Sequence, residues 1–96
     1  MDSSASVKRI QALIKNVQKK IRSVTASQKY AHTNWAALVQ ALADLSPGEY
    51  PAGSKRRKAL IAAVAAAGRN YRKLTANLVT LKGYLTNYLR ELSRLQ

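Results

Sequence analysis

Lys8, Lys15, Arg22 and Lys29 stand seven residues apart, so on a helix they form one stripe of cations with about 10 Å per step. Arg9, Lys19 and Lys20 lie beside it. Further cations follow at Arg69, Arg72, Lys73, Lys82, Arg90 and Arg94, and four stand together at Lys55-Arg56-Arg57-Lys58. Such side chains are donors that pair with anions, and phosphate is the commonest anion presented as a polymer. With 17 Lys+Arg against 4 Asp+Glu, the net charge of +13 exceeds what solubility requires. A run of charge is often only a solvated face laced with i,i+4 pairs, but here almost no acid is available to pair with.

The 55–58 cluster is unusual for a second reason. Cations are disfavoured at a helix N-terminus, where the macrodipole is already positive, whereas a phosphate finds both the dipole and the side chains attractive. Pairing with Asp44 and Glu49 is the plain alternative, and it accounts for part of the cluster only. Nuclear localisation is another reading of four consecutive basic residues.

The raw material of catalysis is missing by comparison. The chain has one histidine, four carboxylates and no cysteine. Thiol chemistry, disulfides and thiolate metal sites are therefore excluded, and His32 has no acid near it in sequence. No glycine-rich phosphate loop, zinc spacing or calcium loop is present. The expectation is no enzyme, no cofactor, no metal and no catalytic residue. Stacking on bases requires exposed rings, and Tyr30 and Tyr84 are the two that leave the apolar seams within basic surroundings. No helix-turn-helix, zinc-finger or basic-zipper pattern supports reading of base sequence.

These residues are carried by two helices. One stretch, Ser46-Pro47-Gly48-Glu49-Tyr50-Pro51-Ala52-Gly53-Ser54, holds both prolines and two of the four glycines, and is read as a loop. Before it an apolar seam with 3,4 spacing runs Val7, Ile10, Ile14, Val17, Ile21, Val24, Gln28, Ala31, Trp35, Leu38, Leu42, Leu45, with Gln28 alone polar. After it a second runs Leu60, Val64, Ala67, Tyr71, Leu74, Leu78, Leu81, Leu85, Tyr88, Leu92, Leu95. Sustained heptads predict helices packed side by side in coiled-coil fashion.

The predicted fold is therefore all-α: one domain over residues 1–96, a long antiparallel helical hairpin with helices at about 5–45 and 55–95 and a loop at 46–54. A three-helix bundle is the alternative, because Ser23-Val24-Thr25, Gly68 and Gly83 lower helical propensity and are places where a helix bends or breaks. Asp2, Ser3 and Ser4 are candidate caps for the first helix and Ser54 for the second. In the hairpin, residue i lies near 100 minus i, which sets Trp35 beside Ala63–Ala67.

Charge and small residues divide unequally. Between Tyr30 and Leu45 there is no Lys or Arg, and residues 59–68 read Ala-Leu-Ile-Ala-Ala-Val-Ala-Ala-Ala-Gly. Alanine on a surface needs no partner, being the best helix former. Val39 and Ile61 lie off the seams, however, and a helix apolar on several faces is normally covered on several faces. Self-association is expected to complete the hairpin through Trp35, Leu38, Val39, Leu42, Ile61 and Val64. Anion binding is assigned to Lys8, Arg9, Lys15, Lys19, Arg22, Lys29, Lys55, Arg56, Arg57, Lys58, Arg69, Arg72 and Lys73.

The N-terminal residues lack the apolar run of a secretory signal, and their basic, Ser-rich character, reminiscent of a transit peptide, merges into the periodicity that starts at Val7. No apolar stretch reaches the roughly 20 residues that span a bilayer. An intracellular or virion setting is expected.

In layout the chain resembles the helical hairpins of type III secretion needle subunits and of small secreted proteins with a Trp-x-Gly turn. Trp35 is followed by Ala36-Ala37 inside a helix, however, and the basic charge differs, so no membership follows. The layout also resembles the coat proteins of some rod-shaped DNA viruses of archaea, basic helical proteins that wrap a duplex as they polymerise, without a shared motif. The functional expectation is a basic, self-associating protein that binds nucleic-acid phosphates, DNA first, without sequence specificity, as architectural, packaging or coat protein. The alternatives are a structural subunit of a filament, virion or appendage that binds no nucleic acid and, last, binding to an anionic membrane surface, for which the off-seam faces lack large apolar residues.

Overall fold

The computed structural model describes residues 3–96. It is all-helical, with α1 at Ser3–Ala43 and α2 at Lys55–Leu95, 41 residues each, forming a helical hairpin. The three-helix alternative is not adopted. α1 runs unbroken through Ser23-Val24-Thr25, and α2 through Gly68 and Gly83. Local propensity losses of a few tenths to about 1 kcal/mol are outweighed where the seam stays continuous on either side.

All the seam positions named from the heptads are buried or half-buried, Gln28 included. A heptad repeat works because 3.5 residues per turn returns an apolar side chain to the same face, where the opposite helix covers it. Coverage by a single helix is shallow. The six most buried apolar side chains, Ile14, Val17, Ala31, Leu60, Ala67 and Leu78, retain 4–8% of their exposure, and no described side chain is completely buried. No buried polar side-chain atom among the described residues lacks a hydrogen-bond partner.

The chain divides into two compact units, each built from both helices. The terminal unit takes the chain through Ala26 with Thr75–Gln96, and the loop unit takes Ser27–Leu74.

Element ends differ from expectation at α1 and agree at α2. α1 already includes Ser3 and Ser4, so Ser4 sits within the helix rather than ahead of it, and Asp2 lies outside the described residues. Periodicity that begins at Val7 carries no information about the first turn. At the other end α1 stops at Ala43, two residues early. The Asp44 amide still bonds the Gln40 carbonyl at 2.9 Å, but Leu45 tightens onto Leu42 at 3.3 Å, and Pro47 disfavours helical geometry at Ser46. Ser54 caps α2 as expected: its Oγ accepts from the Arg57 amide at 3.2 Å. Within the loop the Tyr50 amide bonds Ser46 O at 2.8 Å and the Ser54 amide bonds Pro51 O at 2.9 Å.

Candidate nucleic-acid interface

In the terminal unit, Lys8, Arg9, Lys15, Lys19, Lys20 and Arg22 are all exposed on α1. Lys8, Lys15 and Arg22 keep the seven-residue step and share one side of the helix. Lys15 borders a groove with Gln11, Gln18, the seam residues Ile14 and Leu92, and Leu89. On α2 of this unit, Lys82, Arg90 and Arg94 are exposed. Arg94 meets Glu91 at 3.4 Å, the one ion pair among the described residues, and 70% and 47% exposure of the two side chains makes it a solvated surface pair. The other cations of this unit form no ion pair among the described residues.

In the loop unit, Lys29, Lys55, Arg56, Lys58, Arg69, Arg72 and Lys73 are exposed. Arg57 is the exception in the assigned set. It is half-buried and turned into the loop, where its Nε donates to Tyr50 O at 2.5 Å and its Nη2 to Leu45 O at 3.3 Å. The reason is electrostatic as well as geometric. Leu45 O lies just past the C-terminal end of α1, where unsatisfied carbonyls carry partial negative charge, and the guanidinium fork reaches it and the loop carbonyl of Tyr50 at once. Local structure thus accounts for one of the four clustered cations and leaves Lys55, Arg56 and Lys58 facing solvent. Neither Asp44 nor Glu49 pairs with the cluster among the described residues; Asp44 instead accepts from Gln40 Nε2 at 2.8 Å.

No family model, curated protein or solved structure matches the chain. Among the described residues no three His, Cys, Asp or Glu side chains come together as a metal site would require, and no helix is long and apolar enough to cross a membrane.

The aromatic residues divide as their seam positions imply. Tyr30 and Tyr84 are exposed, at 76% and 50%, while Trp35, Tyr71 and Tyr88 are half-buried. In the loop unit Trp35 and Tyr71 stack, with centroids 6.4 Å apart and planes 8° from parallel. His32 tilts against both, at 6.0 Å from Trp35 and 5.3 Å from Tyr71. His32, expected at the surface or seam, is an exposed residue that closes a ring cluster.

Trp35 reaches along α2 to Gly68 and Tyr71. The ring lies against Gly68, next to Ala67, and stacks on Tyr71. Helical side chains lean toward their own N-terminus, which in an antiparallel pair is toward the C-terminal end of the partner, so a long indole lands about one turn beyond its Cα level.

Two features escape the sequence reading. Arg57 groups with its neighbours because nothing in a run of four cations distinguishes the one that turns inward; its spacing of three from the Ser54 cap is the available signal. Gly68 reads as a weak point in a helix, whereas it is buried beside Trp35. Of the residues assigned to self-association, Trp35, Leu38, Leu42 and Val64 are half-buried on the seams, and Val39 and Ile61 remain exposed at 40% and 50%.

Proposed function

We propose that this protein binds the phosphate backbone of nucleic acid, duplex DNA first, without sequence specificity, and assembles with copies of itself as an architectural, packaging or coat-type protein. One observation carries the reading. Twelve of the thirteen assigned cations are exposed, and a single ion pair among the described residues, Arg94–Glu91, neutralises any of the positive charge. A surface so charged repels itself until a polyanion neutralises it. Phosphate contacts release condensed counterions, so affinity falls with salt at about 0.9 in log–log slope per phosphate engaged. No catalytic role is proposed.

The test is a titration of duplexes of unrelated sequence, followed by anisotropy across a salt series. A slope corresponding to roughly six or more phosphates engaged, the same for each sequence, is expected. A flat plot, or no binding at low salt, sinks the reading.

The alternative, a filament or appendage subunit that needs no nucleic acid, draws on the incomplete burial of the seams. It is separated from the first by asking whether protein freed of nucleic acid polymerises and still ignores added duplex.

A further inference from the structure

We infer that the face of the loop unit carrying Val39 and Ile61 is where a second copy of this chain docks. This sharpens the self-association half of the proposed function and rests on that reading.

The two residues lie on one face. His32 packs on Trp35, and Trp35 lies against Gly68, so the His32 side of α1 and the Gly68 side of α2 adjoin. Val39 follows His32 by one heptad and Ile61 precedes Gly68 by one, which places both beside that shared edge. Beneath them the seam is unfinished, since Leu38, Leu42 and Val64 stay half-buried. Buried apolar surface is the main source of folding stability, and this unit leaves two β-branched side chains 40% and 50% exposed above a shallow core.

The chain as a whole carries more surface than a globular monomer of its mass. The chain exposes 7150 Å² at 10.6 kDa, against about 5,500 Å² for a globular monomer of that mass. A second copy seated on the loop unit would cover part of that surplus, since one partner contributes about 800 Å² to a standard interface.

Charge selects a second copy. Residues 30–43 and 59–68 contain no Lys, Arg, Asp or Glu, so the face offers a charged partner nothing to pair with. It is also the stretch where two chains of +13 meet with least repulsion. Each helix supplies one exposed β-branched residue at matching heptad positions. A two-fold axis through the face brings the α1 position of one copy onto the α2 position of the other, as an isologous interface requires.

The experiment uses the full chain, nuclease-treated and free of nucleic acid, in about 0.5 M salt to screen repulsion. Sedimentation equilibrium over a wide concentration range is expected to show dimers or larger species. The double variant Val39→Lys/Ile61→Lys is expected to weaken association at least tenfold with unchanged helical circular dichroism. Val79→Lys, at a valine 68% exposed in the terminal unit, is expected to associate as the parent does. Because the chain has no cysteine, Val39→Cys and Ile61→Cys provide a second measurement with small substitutions: mild oxidation of an equimolar mixture of the two variants should cross-link residue 39 of one chain to residue 61 of the other faster than it cross-links Val79→Cys chains. A monomeric parent, a double variant that associates as the parent does, or equal cross-linking at residue 79 overturns the inference. A monomeric parent that still binds duplex with a steep salt slope removes this face and leaves the phosphate reading standing; association without duplex binding does the reverse.

Discussion

A Cβ built on Gly68 lies 3.4 Å from Nε1 and 3.7 Å from Cδ1 of Trp35, so the glycine is the seat on which the indole edge rests. The same Cβ lies 3.7 Å from Nη1 of Arg72, whereas one built on Gly83 meets nothing within 4 Å. The two glycines of α2 are thus unlike. Gly83→Ala is expected to raise stability by about 1 kcal/mol, the propensity difference in a helix interior. Gly68→Ala gains less, because the methyl uses the last room before the ring, and Gly68→Val loses stability by displacing Trp35. Urea unfolding at one fixed protein concentration reads all three; an equal gain from Gly68→Val and Gly83→Ala contradicts the seat.

Arg57 ties the loop together through Tyr50 O and Leu45 O. Arg57→Lys retains charge but loses the fork that spans Leu45 O and Tyr50 O, and is expected to lower stability by about 1–3 kcal/mol. Ser54→Ala, which removes the cap on the Arg57 amide, is expected to lose about 1 kcal/mol. Thermal unfolding by circular dichroism checks both. A Lys55→Gln variant, altering an exposed neighbour, should unfold as the parent does.

Salt dependence should follow the exposed cations and ignore the half-buried one. Replacing Lys8, Lys15 and Arg22 together by Gln is expected to lower the log–log slope of duplex binding by about 2–3, close to 0.9 for each phosphate that is no longer engaged. Arg57→Gln should leave the slope within error of the parent. Equal losses in the two variants would mean that the charge acts only as a total and not as a surface.

Seam and off-seam substitutions should separate cleanly within the terminal unit. Ile14 retains 8% of its exposure and Val79 68%. Ile14→Ala is expected to lose about 2–4 kcal/mol through reduced burial and the cavity left behind. Val79→Ala should be neutral or slightly stabilising, because alanine is the better helix former at a solvated position. Chemical denaturation at matched concentration decides between them.

Much of the fold was legible because the information is local and repeated. From Val7 to Leu45 and from Leu60 to Leu95 each apolar residue announces the same face as the one before it, so a single slip is overruled by its neighbours. The cap at Ser54 and the loop at its prolines were legible for the same reason, since each is decided within a few residues. The start of α1 was not, because no apolar residue marks its first turn. The exposed cations of the candidate interface could be named in advance, as charged side chains off a seam have nowhere else to go.

What the sequence by itself determined is the helical hairpin, its two seams and the excess of positive charge over acid, all properties of residue type and spacing along one chain. Tertiary structure alone decided that Arg57 turns to Leu45 O and Tyr50 O, that Trp35 lands on Gly68 and Tyr71, and that Val39 and Ile61 stay uncovered. Those outcomes depend on side-chain lean and on what the opposite helix presents at that level. Spacing within one helix says where a side chain starts; only the packed pair says where its far end stops.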